Sequence, residues 1–182
     1  MFISISEASV AGDPVPVTEA VERVHEFLRT MPGFRWAMLL RGSESPDALA
    51  AVSMWLTPEQ ASAQESVSLG AKEHLRGFDV TTARGSMTPA ARVAVVEWQV
   101  PEEDAARFTN RWNAVYHAIE DRIGSRLLRN LGLPDAYAGL HAVTEAANLD
   151  AAILGGAVSD ADGLSVTPAS VRTYDVVLLT EA

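Results

Sequence analysis

Apolar residues follow two different spacings along this chain. Residues 3–10 and 93–100 have the two-residue period that predicts β-strands. Each is followed by apolar positions three and four residues apart, which predict an amphipathic helix. These positions are Val17, Val21, Val24 and Leu28 after the first strand, and Ala105, Phe108, Trp112, Val115, Ile119 and Ile123 after the second. Gly33 and Gly124 follow the helical patterns, so both are predicted to be left-handed helix caps.

The predicted elements recur in the same order in the second half of the chain. Aligning residues 3–10 with residues 93–100 places Glu7 against Glu97, and both are expected to be structural partners rather than catalytic acids. The later strands are predicted in pairs at 33–42 and 124–132, at 47–55 and 135–143, and at 78–85 and 170–179. Thr57 and Thr144 are placed to cap a short helix after each third strand. Residues 155–170 are predicted to form a loop.

The order strand, helix, strand, strand, helix, strand is typical of a ferredoxin-like unit. The sequence therefore predicts an α+β protein of two fused ferredoxin-like repeats, at residues 1–88 and 89–182. Residues 93–100 are apolar on both faces, which indicates a sheet covered on both sides. We expect the two repeats to pack sheet to sheet as an intramolecular pseudo-dimeric α/β barrel.

Composition excludes several classes of function. The net charge of −10 would repel a phosphate backbone, so no nucleic-acid partner is expected. No apolar run is long enough to span a bilayer, and the first residues lack a basic leader, so we expect a cytoplasmic protein without a membrane partner. The absence of cysteine removes thiolate metal sites and a thiol nucleophile. The four histidines are scattered, so no metal site is predicted.

The third strand of each copy has one uniformly apolar face and one mixed face. The mixed faces carry Leu49, Ala51, Ser53 and Trp55 in the first copy, and Tyr137, Gly139, His141 and Val143 in the second. A very small residue in mid-strand is expected to leave room beneath the helices. The pattern predicts two pockets of unlike chemistry, although a slip of one residue in register would exchange the faces.

Tyr137 and His141 are the candidate catalytic residues, because a phenol and an imidazole on one face can move a proton on a polyphenol. The predicted substrate-binding residues are Trp55, Ser53, Gly139, Trp112, Asn113, Tyr116 and Arg76. Simpler roles stay open: His141 and Trp55 as core residues, and Arg76 as a surface residue. The second copy is the preferred site, since its third strand alone carries a histidine.

Two short motifs resemble the antibiotic biosynthesis monooxygenase family: "MPGF" at 31–34 and "WLTPEQA" at 55–61. This resemblance implies small ferredoxin-like domains that pair as a dimeric α/β barrel. In several members the tryptophan that matches Trp55 lines the substrate pocket, and an arginine in the region of Arg76 lies near the substrate. Quinone-forming members carry an asparagine where this chain has Ala51. Heme-degrading members need a histidine on the helix after the tryptophan, and residues 58–70 contain none.

The resemblance implies a monooxygenase that acts on a polycyclic aromatic polyketide-type metabolite without bound metal or heme. Dioxygen would be the co-substrate, and a reduced flavin supplied from elsewhere remains an alternative. Two other functions stay open: a polyketide cyclase or isomerase, and a non-catalytic protein that binds a hydrophobic ligand. We expect a small aromatic substrate, and either a monomer with an internal pseudo-dimer or a homodimer of it.

Overall fold

The computed structural model describes residues 1–9, 22, 24, 26–62, 74–88, 90–117, 124–143 and 156–182. The chain divides into two compact units. Unit 1 comprises Met1–Asp79 and Tyr174–Ala182, and unit 2 comprises Val80–Thr173. No helix in these described ranges is long and apolar enough to cross a membrane.

The described elements are mainly strands. They are β1 (Phe2–Ser9), β2 (Phe34–Gly42), β3 (Ala48–Trp55), β4 (His74–Gly85), β5 (Arg92–Gln99), β6 (Gly124–Asn130), β7 (Ala136–Val143), β8 (Val158–Ser159), β9 (Ser165–Val166) and β10 (Ser170–Glu181). The described helices are α1 (helical at 26–29), α2 (Pro58–Ser62) and α3 (Ala105–His117), with a 3-10 turn at Glu102–Asp104 before α3. These elements confirm the predicted α+β class and the predicted third strands to within one residue.

Unit 1 is an antiparallel sheet in the order β4, β1, β3, β2, β10, to which β4 and β10 contribute their residues 74–79 and 174–181. Phe2 and Phe34 lie opposite Trp55 on the strands to either side of it. Paired residues of antiparallel strands share a face of the sheet. The three aromatic residues therefore form one core, which Leu28 of α1 and Ala61 of α2 cover.

Unit 2 repeats this plan in the order β10, β5, β7, β6, β4, with residues 170–173 of β10 and 80–85 of β4. His141 of β7 lies opposite Ala94 on β5 and Ser125 on β6. Helix α3 packs on this face and buries Phe108, Trp112 and Tyr116 against the sheet. The apolar stripe predicted for the second helix is therefore the core face of α3, as far as the structure describes it.

The predicted helix ends have different outcomes. Gly33 has φ of +81°, which confirms its left-handed cap, and Thr57 accepts a hydrogen bond from the Gln60 backbone N–H at 3.4 Å. The cap predicted at Gly124 is wrong, because Gly124 is the first residue of β6 and is not among the glycines with positive φ. A glycine is still needed there, since a Cβ would lie 2.0 Å from the Ser86 carbonyl oxygen.

The loop predicted at 155–170 contains a small two-stranded sheet of β8 and β9. Its buried residues Val158, Leu164 and Val166 join the core under α3. Strands of two residues are too short to show a period in the sequence, which is why the pattern indicated a loop. We call residues 158–166 the hairpin below.

Some predictions concern residues outside the described ranges, namely Val17, Val21, Ile119, Ile123 and Thr144. The bounds of the two units differ from those of the predicted repeats at 1–88 and 89–182. Strand β4 lies in the first repeat, but its residues 80–85 belong to unit 2, and β10 lies in the second repeat, but its residues 174–181 belong to unit 1. The tandem repeat and its pseudo-dimeric packing stay predictions.

Candidate functional site

His141 lies at the centre of an aromatic cluster in unit 2. Its side chain is fully buried, and its ring stacks on Tyr116 at 4.7 Å between centroids and on Trp112 at 5.5 Å. Strand β7 supplies the histidine, and α3 supplies both aromatic partners from positions one helical turn apart. The structure therefore brings together His141, Trp112 and Tyr116, as expected for one site.

Trp98 of β5 completes this cluster. Its ring meets Phe108 at 5.5 Å and Tyr116 at 6.2 Å, and only 1% of its surface is exposed. The sequence gave Trp98 no role beyond its place in a strand that is apolar on both faces. These contacts could not be found from the pattern, because they depend on how α3 packs against β5.

The gap expected beside Gly139 does not exist. A Cβ at this position would lie 2.7 Å from His141 Nε2 and 2.9 Å from two carbon atoms of the Trp98 ring. The expectation of open space at Gly139 is therefore wrong, since the glycine makes room for Trp98 and His141. A ligand reaches His141 only if side chains of the cluster move.

Tyr137 shares the face of His141, but its contacts are different. Its ring meets Phe108 at 5.4 Å, and the guanidinium carbon of Arg129 lies 5.9 Å from its ring centre. Tyr137 pairs with Trp98 across the strands, whereas His141 pairs with Ala94. The two predicted catalytic residues thus occupy opposite ends of one aromatic face, with the Trp98 ring over the glycine between them.

Asn113 lies beside the cluster on α3 and is half-buried. Its side-chain oxygen accepts a hydrogen bond from the Thr82 hydroxyl at 3.0 Å. This contact ties α3 to β4 within unit 2. The side chain of His117, at the end of α3, lies outside the described residues.

The predicted pocket of unit 1 is closed by its own hydrogen bonds. Trp55 is fully buried and donates from Nε1 to the Ser53 hydroxyl at 2.9 Å, and Ser53 contacts the Ser4 hydroxyl at 2.7 Å. Phe34 meets the Trp55 ring edge-on at 5.3 Å. These contacts are those of a satisfied core, which leaves the proposed ligand-binding roles of Trp55 and Ser53 as predictions.

Arg76 lies on the opposite face of the unit 1 sheet from Trp55. It pairs in register with Ile5, whereas Trp55 pairs with Phe2 on the other face of β1. Its guanidinium donates to Glu7 at 3.1 Å. The register therefore removes Arg76 from a pocket shared with Trp55.

The two matched glutamates have matched partners. Glu7 binds Arg76 of β4, and Glu97 binds Arg172 of β10 at 2.8 Å. The observed β4 and β10, which supply these arginines, are the last strands of the two predicted repeats. This agreement supports the structural role expected for the two glutamates.

The hairpin covers part of the aromatic cluster and is held on α3 by arginines. Arg107 binds both carboxylate oxygens of Asp160 at 2.9 and 3.0 Å, and Arg111 donates to the Ser159 carbonyl oxygen. The Leu164 backbone N–H, which also bonds this carboxylate, lowers the pKa of Asp160, and Arg107 lowers it further. Asp160 is therefore the anchor between the hairpin and α3.

A buried arginine fixes the end of β4 in unit 2. Arg126 donates to the carbonyl oxygens of Arg84 and Gly85 at 2.7 and 3.0 Å, and burial lowers its pKa. Gly85 has φ of +62°, so the chain turns sharply at this point. Arg126 thus acts as a structural clamp.

The absence of a bound heme stays an expectation. His141 is the histidine whose side chain the structure describes, and both flanking aromatic rings stack on its imidazole. Within the described part of the chain, no three histidine, aspartate or glutamate residues group as metal ligands.

No protein-family model and no curated protein sequence matches the chain. Solved structures share its fold. A proposed monooxygenase from Fusobacterium nucleatum aligns with a TM-score of 0.74 at 9% identity, over 99% of this chain and 94% of that one. An anthrone oxidase-like protein aligns with a TM-score of 0.64 at 10% identity, over 100% and 93% of the two chains.

A heme-degrading enzyme from Listeria monocytogenes also shares the fold, with a TM-score of 0.56 at 8% identity over 96% of this chain and 99% of that one. At such identities the likeness establishes the fold alone. The resemblance to the antibiotic biosynthesis monooxygenase family therefore agrees with the findings at the level of the fold that the monooxygenase and anthrone oxidase-like structures share with this chain.

Proposed function

We propose that this protein is a monooxygenase of aromatic, polyketide-type metabolites and that its working site is the aromatic cluster of unit 2. The observation that carries the proposal is His141, a fully buried imidazole stacked on Trp112 and Tyr116. A buried histidine among aromatic rings combines a group that exchanges protons with a surface suited to planar rings. The monooxygenase and anthrone oxidase-like structures of the same fold support this reading.

The chemistry assigned to the site needs only dioxygen as co-substrate. For a methylene carbon between two aromatic rings, His141 removes one proton and the resulting carbanion is oxidised by dioxygen to a hydroperoxide. The O–O bond then breaks, the second hydrogen leaves as a proton, and water departs. The carbon becomes a carbonyl, so one oxygen atom enters the product and the other leaves as water.

The protein contributes proton transfer and exclusion of water to this reaction. The stacked rings of the cluster keep bulk water from the carbanion, which would otherwise be reprotonated. Tyr137 at the far end of the same face is proposed to hold a ring oxygen of the substrate. A reduced flavin delivered by another protein is a second route to activated oxygen, and neither route requires a resident metal.

Oxygen uptake measured with a panel of anthrones and naphthols tests the function. We expect consumption of dioxygen with formation of the matching quinone, and loss of both in His141→Gln. Deuterium exchange at the activated carbon without oxygen uptake would identify a cyclase or isomerase instead. Tight binding without either reaction would identify a ligand-binding protein.

The larger architecture belongs to the same proposal. We propose that the two units derive from fused ferredoxin-like repeats that form an intramolecular pseudo-dimeric barrel, as a monomer or as a homodimer of such chains in the cytoplasm. The matched pairs of Glu7 with Arg76 and Glu97 with Arg172 support the repeat. Light scattering of the purified protein distinguishes the two oligomeric states.

A further inference from the structure

Two indole N–H groups in the aromatic cluster lack a hydrogen-bond acceptor. Nε1 of Trp98 and Nε1 of Trp112 are buried, and neither has a partner in the part of the chain that the structure describes. Each tryptophan is only 1% exposed. Buried donors are nearly always satisfied in folded proteins, so two orphaned donors in one cluster require an explanation.

The chain satisfies a comparable donor elsewhere. In unit 1 the equally buried Trp55 donates to Ser53, which stands two residues away on the same strand. Among the described residues, no such acceptor accompanies Trp98 or Trp112. The buried indole N–H of Trp55 is thus satisfied by the protein itself, and those of Trp98 and Trp112 differ from it in this respect.

Both tryptophan rings lie next to the proposed proton-transfer group. The Trp112 ring contacts both Tyr116 and His141, and the Trp98 ring contacts Tyr116. The Cζ3–Cη2 edge of Trp98 and the Nε2 atom of His141 lie 2.9 Å and 2.7 Å from the position of a Cβ at Gly139. A ligand that displaces side chains beside His141 therefore lies against both indole rings.

We propose that Trp98 and Trp112 donate hydrogen bonds to the oxygen atoms of an aromatic ketone or quinone bound in this cluster. An indole N–H is a donor only, so the ligand atom must be an acceptor. The rings that contact Trp98 and Trp112 belong to Phe108, Tyr116 and His141, whereas Arg129 contacts Tyr137 at the far end of the face. A neutral carbonyl therefore fits beside the two indoles better than a carboxylate or a phosphate. This inference rests on the proposed function, because it assigns the recognition of substrate or product oxygen at the same site.

The test uses 9-fluorenone and fluorene under argon, two planar probes of nearly equal shape that differ in one carbonyl group. The protein has four tryptophans, so its ¹H–¹⁵N spectrum has four indole N–H signals that single Trp→Phe variants assign. Fluorenone should shift the Trp98 and Trp112 signals downfield and leave the Trp36 signal in place. Fluorene should produce no downfield shift.

Affinity gives a second readout. Trp98→Phe and Trp112→Phe should each weaken fluorenone binding relative to fluorene binding by about two- to tenfold, the loss expected for one hydrogen bond. Both probes lose the same packing contacts in a tryptophan variant, so the ratio of their dissociation constants reports the loss of the hydrogen bond alone. Trp36→Phe, in unit 1, is the matched control and should leave the ratio unchanged.

The inference is overturned if fluorenone does not bind, if it binds without shifting either indole signal, or if neither variant changes the affinity ratio. These outcomes are separate from a failure of the proposed function. Binding with both shifts but no oxygen uptake on anthrones would reject the oxygenase and keep the donor pair. Oxygen uptake that is unaffected in both tryptophan variants would reject the donor pair and keep the oxygenase.

Discussion

The ring of Trp98 on β5 occupies the space that a side chain at Gly139 on β7 would need. A Cβ at position 139 would lie 2.9 Å from two ring carbons of Trp98 and 2.7 Å from His141 Nε2. Position 139 is therefore a packing constraint on the cluster, and its role in the site is to let a large ring approach the backbone of β7.

Gly139→Ala should destabilise the protein by about 1–3 kcal/mol, the usual cost of overpacking a core. The added methyl group forces Trp98 and His141 to shift, and neither has free space around it. Urea denaturation measures the change in the free energy of unfolding. The larger Gly139→Leu should prevent folding.

Gly132→Ala is the matched control for this prediction. Gly132 lies exposed in the turn after β6, where the nearest atom to an added Cβ would be Asn130 Oδ1 at 3.5 Å. This variant should keep the stability of the parent protein. Equal stability of Gly139→Ala and Gly132→Ala would contradict the packing of Trp98 described above.

His141→Ala should lower turnover of an aromatic substrate by about 10²–10⁴-fold, the range for loss of a general acid or base. Trp55→Phe should lower it far less, because Trp55 packs in the core of unit 1. Steady-state oxygen uptake by both variants decides between the units. Full activity of His141→Ala together with an inactive Trp55→Phe would place the working site in unit 1.

Ser53→Ala should reduce the free energy of unfolding by about 1–3 kcal/mol, because it leaves the buried Trp55 N–H without its acceptor. Ser4→Ala should cost less, since Ser53 still accepts from Trp55. Chemical denaturation of the two variants and of the double variant measures the coupling. A larger loss in Ser4→Ala than in Ser53→Ala would show that the tryptophan is not the main partner of Ser53.

The attachment of the hairpin to α3 should weaken at low pH. The pKa of Asp160 is lowered in the folded protein by the Leu164 backbone N–H and then by Arg107. Because the pKa of Asp160 is lower in the folded than in the unfolded protein, its carboxylate stabilises the fold fully at a pH above the unfolded pKa. This stabilisation is lost as the pH falls through the folded pKa. The protection factor of the Leu164 amide, which corrects its exchange rate for the intrinsic effect of pH, should therefore fall in that pH range.

Asp160→Asn should remove this pH dependence and raise the exchange rate at neutral pH, since the amide cannot form the ion pair with Arg107. Asp162→Asn is the control, because it changes an exposed carboxylate in the same turn. Parallel pH profiles for the parent and for Asp160→Asn would show that another group controls the hairpin.

Local patterns predicted the strands well because alternation is a property of consecutive residues. The bounds predicted for the third strands, and the core role of the stripe on α3, needed no knowledge of neighbouring elements. Two other features depend on which residues of a neighbouring strand are paired with a given residue. They are the position of Arg76 on the opposite face of the sheet from Trp55, and the filling of the space at Gly139 by Trp98. Register of this kind is set by the whole sheet and leaves no local signal.

The division of strands between the units also has a consequence for synthesis. Unit 2 is one uninterrupted stretch, Val80–Thr173, whereas unit 1 needs Tyr174–Ala182 to join Met1–Asp79. Those last residues pair with β2, through partners such as Glu181 with Trp36 and Thr180 with Ala37. A nascent chain on the ribosome can thus complete unit 2 first. Until residues 174–181 of β10 are synthesised, the edge of β2 that pairs with them stays unpaired. Prematurely terminated chains would expose that apolar edge and be prone to aggregate.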